Sequence, residues 1–255
     1  MKKLIDLNAD AGESFGRWRL GHDEKLLPLV SSVNVACGWH AGDPATMRRS
    51  VALAQSGKTA LGAHPGLPDL TGFGRRAMAL SPQEAADACM YQYGALRAFA
   101  EGARVTVQHV KAHGALYGLT LRDPDVANAI ADAVHEREMI TVLLAGPTAD
   151  QVEARGVRVA REAFADLEYH DDGTIIIEPD PQPKDPQVCA DKALGILRGS
   201  VTSTTGKKIA VDADTICIHG DRPNGVDVAE AITRAFAEEG VRMAPIAEVL
   251  AARGA

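Results

Sequence analysis

The most informative segment of the sequence is Asn34-Val35-Ala36-Cys37-Gly38-Trp39-His40-Ala41-Gly42-Asp43. An apolar run ends abruptly in Gly, Trp, His and Asp, and Pro44 then begins a helical pattern. This is typical of a buried strand that delivers polar side chains to a cleft and continues into a helix. The same event recurs at residues 4–13, 60–65, 105–117 and 215–221. We infer that five strand ends, each with polar or ionisable groups close to glycine, form one site.

The order of the elements predicts an α/β fold. Seven or eight strand–helix units follow one another, and the first strand is not followed by a dinucleotide-binding fingerprint. We therefore predict a closed or nearly closed TIM-like (β/α) barrel, with its site at the carboxyl ends of the strands. A doubly wound sheet is the alternative, but it would concentrate polar groups at one switch point. We expect one domain over residues 1–255, a sixth strand at about 157–161, and an irregular excursion at about 167–186.

Composition restricts the class of function. The net charge of −7 argues against nucleic acid and anionic membranes as partners, because both bind basic surfaces. The four cysteines lie far apart without a Cys-x-x-Cys pair, which argues against a zinc knuckle or a disulfide framework. The sequence has neither an apolar signal-like segment at its start nor an apolar run of membrane-spanning length. We expect a reduced, cytoplasmic protein.

The polar groups at the strand ends suit acid–base chemistry. On the first strand, Asp6, Asn8 and Asp10 alternate with apolar residues and so share one face. Carboxylates and imidazoles can exchange protons around a scissile amide. A lysine on an apolar strand suits contact with an oxyanion. We predict as catalytic residues Asp10, Glu13, His40, His64, Lys111 and His113.

The residues offer candidate ligands for a metal ion but no recognisable site for ATP. Asp10, His40 and His64 are candidate ligands of a divalent metal, although they lack the spacing that fixes two histidines on one helix. The same residues serve equally well as a general acid and base. For ATP, the segment 199–208 contains Gly206-Lys207-Lys208, but the P-loop spacing and its Ser or Thr are missing. The sequence therefore does not indicate where ATP would bind.

A set of motifs, in order along residues 6–221, resembles the LamB/YcsF family. The matching segments are 6–16, 34–43, 62–65, 72–76, 91–96, 113–117, 164–166 and 219–221. The resemblance implies a seven-stranded barrel of the glycoside hydrolase/deacetylase type. It also implies ATP-dependent hydrolysis of the lactam of 5-oxoproline to glutamate, with two partner subunits, B and C. Within or near these motifs, we predict as substrate-binding residues Asn8, Asn34, Asp43, Arg75, Tyr117, His219 and Asp221.

One departure from the family pattern concerns the substrate. The family sequence Phe-Ala-Asp-Arg is here Phe164-Ala165-Asp166-Leu167, and residues 174–179 also lack arginine. If an arginine in this region normally binds a substrate carboxylate, this chain prefers another lactam or cyclic amide. Two further functions stay open: a metal-dependent amidohydrolase or deacetylase, and a non-catalytic subunit of the complex. A simpler alternative for Asp43 is that it serves only as the N-cap of the following helix.

Overall fold

Seven parallel strands close into a barrel in the computed structural model of the chain, which describes residues 1–178 and 181–254. Around the ring, the strands at residues 4–11, 32–36, 60–64, 107–110, 140–144, 159–164 and 215–219 follow in chain order. The first of these strands pairs with both the second and the last, which closes the ring. The predicted seven-stranded (β/α) barrel is confirmed, and the doubly wound alternative is wrong. In chain order the strands are β1 (Leu4–Ala11), β2 (Ser32–Ala36), β3 (Ala60–His64), β4 (Val107–Val110), β5 (Ile140–Leu144), β6 (Val159–Phe164), β7 (Glu168–Tyr169), β8 (Ile175–Ile176), β9 (Ser200–Thr202), β10 (Lys208–Ala210), β11 (Thr215–His219) and β12 (Arg242–Met243).

The helices begin where the sequence supplies caps and prolines. Asp43 accepts hydrogen bonds from the backbone N–H groups of Ala45 and Thr46, and Ser81 and Glu84 form a reciprocal capping box. Within the described residues, no helix is long and apolar enough to cross a membrane. The helices are α1 (Asp23–Leu26), α2 (Pro44–Gly57), α3 (Pro82–Gly102), α4 (Gly114–Arg122), α5 (Pro124–His135), α6 (Pro147–Glu153), α7 (Pro186–Leu197), α8 (Gly225–Glu238) and α9 (Ile246–Arg253).

The residues of β1 alternate between an apolar and a polar environment. Ile5, Leu7 and Ala9 belong to the main apolar core, as expected for one face of a strand covered by helices. The other face carries Asp6 and Asn8, which are equally buried but contact polar groups of neighbouring strands. A barrel is normally filled by branched apolar side chains. Here one sector of its interior is instead a hydrogen-bonded network, and it leads directly to the carboxyl ends of the strands.

Three sequence predictions need correction or completion. The sixth strand is β6 rather than 157–161: it continues through Glu162, whose buried carboxylate is paired with Asn8 and Lys111. Helices α4 and α6 were not predicted. The excursion at 167–186 contains a short hairpin of β7 and β8, and its residues 179 and 180 lie outside the described part of the chain. That one domain spans the whole chain stays a prediction.

Candidate active site

The six predicted catalytic residues lie together at the carboxyl ends of β1–β4 and in the loops that follow them. All six are buried, and each has a polar atom within 4 Å of another member of the set. The ring of His40 also stacks on that of His113. A cavity beside them is lined by Asp10, His64, Lys111 and His113. The remainder of the cavity wall is formed by Arg75, Ala112, Gly114, Tyr117, Phe164, Leu167, Ile175, Ile177, Glu178, Pro181, His219, Asp221 and Arg222.

Lys111 and Asp10 form a buried ion pair at the base of the cavity. The Lys111 Nζ atom is 3.0 Å from Asp10 Oδ1, 3.1 Å from Glu162 Oε1 and 2.8 Å from Cys217 Sγ. Burial alone would raise the pKa of Asp10, but His64 and Lys111 hold it well below its usual range. Burial would lower the pKa of Lys111, but Asp10 and its other neighbours raise it well above the usual range. The contacts with Asp10 and Cys217 are hydrogen bonds, so two of the three ammonium protons are used inside the protein, and Glu162 adds a second ion pair.

This geometry changes the role expected for Lys111. The sequence favours a direct contact between its ammonium group and an oxyanion. In the structure, the ammonium group instead holds the Asp10 carboxylate in its ionised form. Asn34 Nδ2 also donates to Asp10 Oδ1, at 2.8 Å. Asp10 Oδ2 has a longer contact, 3.4 Å from His64 Nε2, so it is the oxygen more open to a ligand in the cavity.

His64 and His113 are each oriented by a backbone carbonyl group. His64 Nδ1 lies 2.8 Å from the carbonyl oxygen of Lys111, and His113 Nε2 lies 2.7 Å from that of Phe73. A carbonyl oxygen only accepts hydrogen bonds, so both of these ring nitrogens carry a proton. The two remaining nitrogens, His64 Nε2 and His113 Nδ1, face each other at 3.1 Å. Two lone pairs at that distance repel each other, so the pair requires a cation between them, either a proton or a metal ion.

His40 and Glu13 form the second layer of the cluster. The ring of His40 stacks on that of His113, with centroids 3.7 Å apart and planes 3° apart. His40 Nε2 is 3.6 Å from Glu13 Oε1. Burial raises the pKa of Glu13 well above its usual range, reinforced by Asp221 and Asp10, and burial also lowers the pKa of His40. Burial therefore favours the uncharged form of both side chains.

Two groups of side chains bring potential metal ligands within 4.8 Å of one another: Glu13, His40, His64 and His113 in one, and Asp10, Cys217 and His219 in the other. The second group does not suit a metal ion, because the Lys111 ammonium already contacts both Asp10 and Cys217. In the first group, an imidazole binds a metal in its ring plane, so the stacked rings of His40 and His113 cannot both bind one ion. Within this group, Glu13, His64 and His113 are therefore the candidate ligands of one ion, whereas the set of Asp10, His40 and His64 stays a prediction.

The distances in this revised set fit a metal. In a tetrahedral zinc site with bonds of about 2.0–2.1 Å, neighbouring ligand atoms are about 3.3 Å apart. The separation of His64 Nε2 and His113 Nδ1 is 3.1 Å, and Glu13 Oε1 is 3.8 Å from His113 Nδ1. Metal-binding histidines usually donate their outer ring N–H to a carbonyl or carboxylate oxygen, as His64 and His113 do here. The cluster can thus hold a divalent ion.

The predicted substrate-binding residues separate into three groups. Asn8 and Asn34 are fully buried inside the barrel, where their amides link Asp10 to the polar network beneath it. Asp43 accepts from backbone N–H groups of Gly16, Ala45 and Thr46, which lower its pKa to about 2, and it does not line the cavity. The residues that do line the cavity are Arg75, Tyr117, His219 and Asp221. Among these, Arg75 Nη2 and Asp221 Oδ2 form an ion pair at 2.7 Å.

Several residues of the site were not predicted from the sequence. Asp166 accepts hydrogen bonds from His219 Nδ1 at 3.0 Å and from Arg222 Nε at 3.1 Å. Although Asp166 and its charged neighbours are buried, His219 and Arg222 hold the pKa of Asp166 well below its usual range. Asp166 follows β6 and Arg222 follows β11, so the strand-end rule already contained a signal for both. Glu162 and Cys217 carried no such signal, because they lie within strands.

Comparison with known proteins agrees with the motifs. The LamB/YcsF family matches this chain over residues 5–251. A protein of Thermococcus onnurineus that is named as the A subunit of 5-oxoprolinase is 44% identical over 252 residues, covering 96% of this chain and 99% of that protein. A protein of the same name from Bordetella pertussis is 47% identical over 247 residues, and the match covers 94% of this chain and 98% of that protein.

Solved structures extend this comparison to the fold. The lactam utilization protein from Thermus thermophilus has a TM-score of 0.86 and 44% identity, and the match covers 96% of this chain and 99% of that one. The peptidoglycan N-acetylglucosamine deacetylase Bc1960 matches at a TM-score of 0.53 over 97% of this chain and 88% of that one. At 11% identity the deacetylase shares the fold alone. From its motifs, its barrel and these relatives, the chain belongs to the LamB/YcsF family.

Proposed function

We propose that this chain is the catalytic A component of an ATP-dependent 5-oxoprolinase. It hydrolyses the lactam of 5-oxo-L-proline to L-glutamate together with subunits B and C, which handle ATP with it. The observation that carries the proposal is the convergence of Asp10, His64, Lys111 and His113 on one cavity. The names of relatives that are 44% and 47% identical supply the reaction. The four cysteines are buried and unpaired, in keeping with a reduced cytoplasmic setting.

The geometry suggests how the residues divide the chemistry. An unstrained five-membered lactam is a poor electrophile, so transfer of a phosphoryl group from ATP to its carbonyl oxygen would activate the carbon. Asp10 Oδ2 is ionised, faces the cavity and can take a proton from the attacking water. Lys111 keeps that carboxylate ionised. Arg75 lines the cavity and is more exposed than Arg222, and we assign it to the carboxylate of the substrate.

The test is reconstitution. Release of glutamate from 5-oxoproline and ATP is measured with this chain alone, with subunits B and C alone, and with all three. We expect release only from the complete mixture and its loss with Asp10→Asn. The matched control is His135→Gln, an exposed histidine at the end of α5. If Asp10→Asn and His113→Gln leave the rate unchanged, the role of this chain in the complex is non-catalytic. If no combination releases glutamate, 5-oxoproline is not the substrate.

A second function is favoured by the facing nitrogens of His64 and His113. A divalent ion held there with Glu13 would polarise a carbonyl group and activate water. The chain would then be a metal-dependent amidohydrolase or deacetylase for another lactam or cyclic amide. Leu167, Ile175 and Ile177 make one wall of the cavity apolar, which suits a less polar ring than that of 5-oxoproline. Hydrolysis of unsubstituted lactams without ATP, dependent on added metal, would establish this function in place of the first.

A further inference from the structure

His219 differs from the other histidines of the site because one ring nitrogen faces the cavity without a short partner. Its Nδ1 atom lies 3.0 and 3.1 Å from the two carboxylate oxygens of Asp166, which also accepts the backbone N–H of His219 at 2.9 Å. A carboxylate only accepts, so Nδ1 carries a proton. The Nε2 atom lies 3.8 Å from Asp10 Oδ2, which is beyond hydrogen-bond distance. That distance leaves Nε2 available to a ligand beside Asp10.

The orientation of the His219 ring is fixed from both ends. Arg222 Nε donates to Asp166 at 3.1 Å, and Arg222 Nη1 donates to Glu178 at 3.0 Å. Asp166 and Arg222 are both almost fully buried, so the carboxylate cannot swing away into solvent. The imidazole also stacks on Phe164, with centroids 5.6 Å apart and planes 14° apart. The ring is thus held with Nε2 directed to one side of the cavity.

The other histidines that line the cavity have no ring nitrogen available to a ligand. Both nitrogens of His64 and of His113 are within hydrogen-bond distance of a partner. His40 and His109 do not line the cavity. The side chain of His219 is 17% exposed, against 1% for His64 and 5% for His113. Among the described residues, His219 is therefore the imidazole best placed to exchange a proton with substrate.

We propose that His219, positioned by Asp166, donates the proton to the lactam nitrogen as the C–N bond breaks. This inference rests on the proposed 5-oxoprolinase function. After ATP has phosphorylated the lactam oxygen, water adds to the ring carbon and loses a proton to Asp10. The tetrahedral carbon then carries the ring nitrogen, a hydroxyl group and the phosphate oxygen. The C–N electron pair goes to nitrogen, which takes a proton from His219 Nε2, and the hydroxyl group gives its proton to solvent water as the carbonyl bond forms. The products of this step are a free amine and an acyl phosphate, and a second water converts the latter to glutamate and phosphate.

The same intermediate has a competing route. If the C–O bond to phosphate breaks first, phosphate leaves and the lactam is regenerated, so ATP is hydrolysed without glutamate being formed. Phosphate is the better leaving group, because an amine leaves a tetrahedral carbon only after its nitrogen is protonated. The proton donor therefore decides whether ATP hydrolysis is coupled to ring opening. General-acid catalysis commonly contributes roughly 10²–10⁴-fold, which is enough to reverse this partition.

The experiment measures ADP and glutamate together in the complete enzyme assembled with its partner subunits. With His219→Gln, we expect lactam-dependent ADP formation to continue while the glutamate formed per ADP falls at least about tenfold. Asp166→Asn should lower the ratio in the same direction, because an amide cannot hold the same tautomer of the imidazole. His135→Gln, the exposed control, should keep the ratio of the unmodified enzyme.

The outcomes separate this inference from the function on which it rests. If the unmodified assembly forms no glutamate, the proposed function fails and the assignment of His219 fails with it. If the unmodified assembly works and His219→Gln lowers ADP and glutamate equally, or changes neither, the assignment to His219 is wrong while the function stands. Should His219→Gln fail to fold, Asp166→Asn decides in the same way, because it keeps the size of the side chain and leaves His219 itself unchanged.

Discussion

The imidazole of His40 lies flat against that of His113, with the ring centroids 3.7 Å apart. Because the rings are parallel, their in-plane lone pairs cannot converge on one point. His113 is instead perpendicular to His64, with an angle of 89° between the planes, and this arrangement brings two ring nitrogens face to face. The cluster of three histidines therefore offers at most two of them to a single ion.

This relationship predicts which substitutions change metal binding. After loading with Zn²⁺ and dialysis, we expect about one ion per chain, held by Glu13, His64 and His113. His64→Ala or His113→Ala should weaken retention at least about tenfold, whereas His40→Leu should retain the ion. The measurement is elemental analysis of each purified variant, with circular dichroism to confirm folding. If the unmodified chain retains no ion, a shared proton rather than a metal lies between His64 and His113.

Removing the ammonium group of Lys111 should destabilise the protein. Lys111→Met leaves the carboxylates of Asp10 and Glu162 buried without their counter-charge, which costs about 3–5 kcal/mol for a broken buried pair. Denaturant unfolding near pH 7 measures the loss. Lys208→Met, on the exposed strand β10, is the matched control and should change the free energy of unfolding little. An equal effect of the two substitutions would contradict the pairing.

Asp43 should matter to stability and not to catalysis. Asp43→Ala removes the N-cap of α2, and such a loss costs about 1 kcal/mol. Ser81→Ala at the N-cap of α3 is the comparison and should cost a similar amount. Both variants should keep the turnover of the unmodified protein. A selective rise in KM for Asp43→Ala would show that this residue binds substrate after all.

Arg75 should distinguish substrates with and without a carboxylate. If it binds the carboxylate of 5-oxoproline, Arg75→Ala removes a charge-assisted hydrogen bond worth about 1.5–3 kcal/mol, or roughly 10–150-fold in KM. For 2-pyrrolidinone, which has the same ring without the carboxylate, the KM should change much less. The KM values of both lactams are measured by steady-state kinetics for the unmodified protein and for Arg75→Ala. Equal losses with both would assign Arg75 to a structural role through its ion pair with Asp221.

Asp6 should make stability depend on pH. Burial raises its pKa to about 6, although hydroxyl groups of Ser32, Thr215 and Ser31 oppose this. Because the pKa of the folded state exceeds the unfolded value of 3.8, the contribution of Asp6 is full below pH 3.8 and is lost as the pH rises through 6. Asp6→Asn should therefore gain about 2–3 kcal/mol relative to the unmodified protein between about pH 4 and pH 7. Denaturant unfolding at both pH values measures this, and a difference that does not change with pH would contradict it.

The sequence alone predicted the fold class correctly, and most residues of the candidate site could be proposed from it. Apolar runs that end in histidine or acid beside glycine predict strand ends, and parallel strands bring their carboxyl ends to one face. This rule placed Asp10, His64, Lys111 and His113 together without any tertiary information. Pro44 with the preceding Asp43 similarly predicted the start of α2.

Only the tertiary structure decided which atoms meet. Asn8 and Glu162 are 154 positions apart and Lys111 and Cys217 are 106 apart, yet each pair is in contact across the barrel. Closure of the ring and the register between strands fix such pairs, and neither is encoded in a local pattern. For this reason the sequence indicated that Lys111 is functional, but not that its ammonium group is paired with Asp10 and Glu162. Likewise, it identified three histidines as candidate ligands or bases, while the angles between their rings decide which of them can act together.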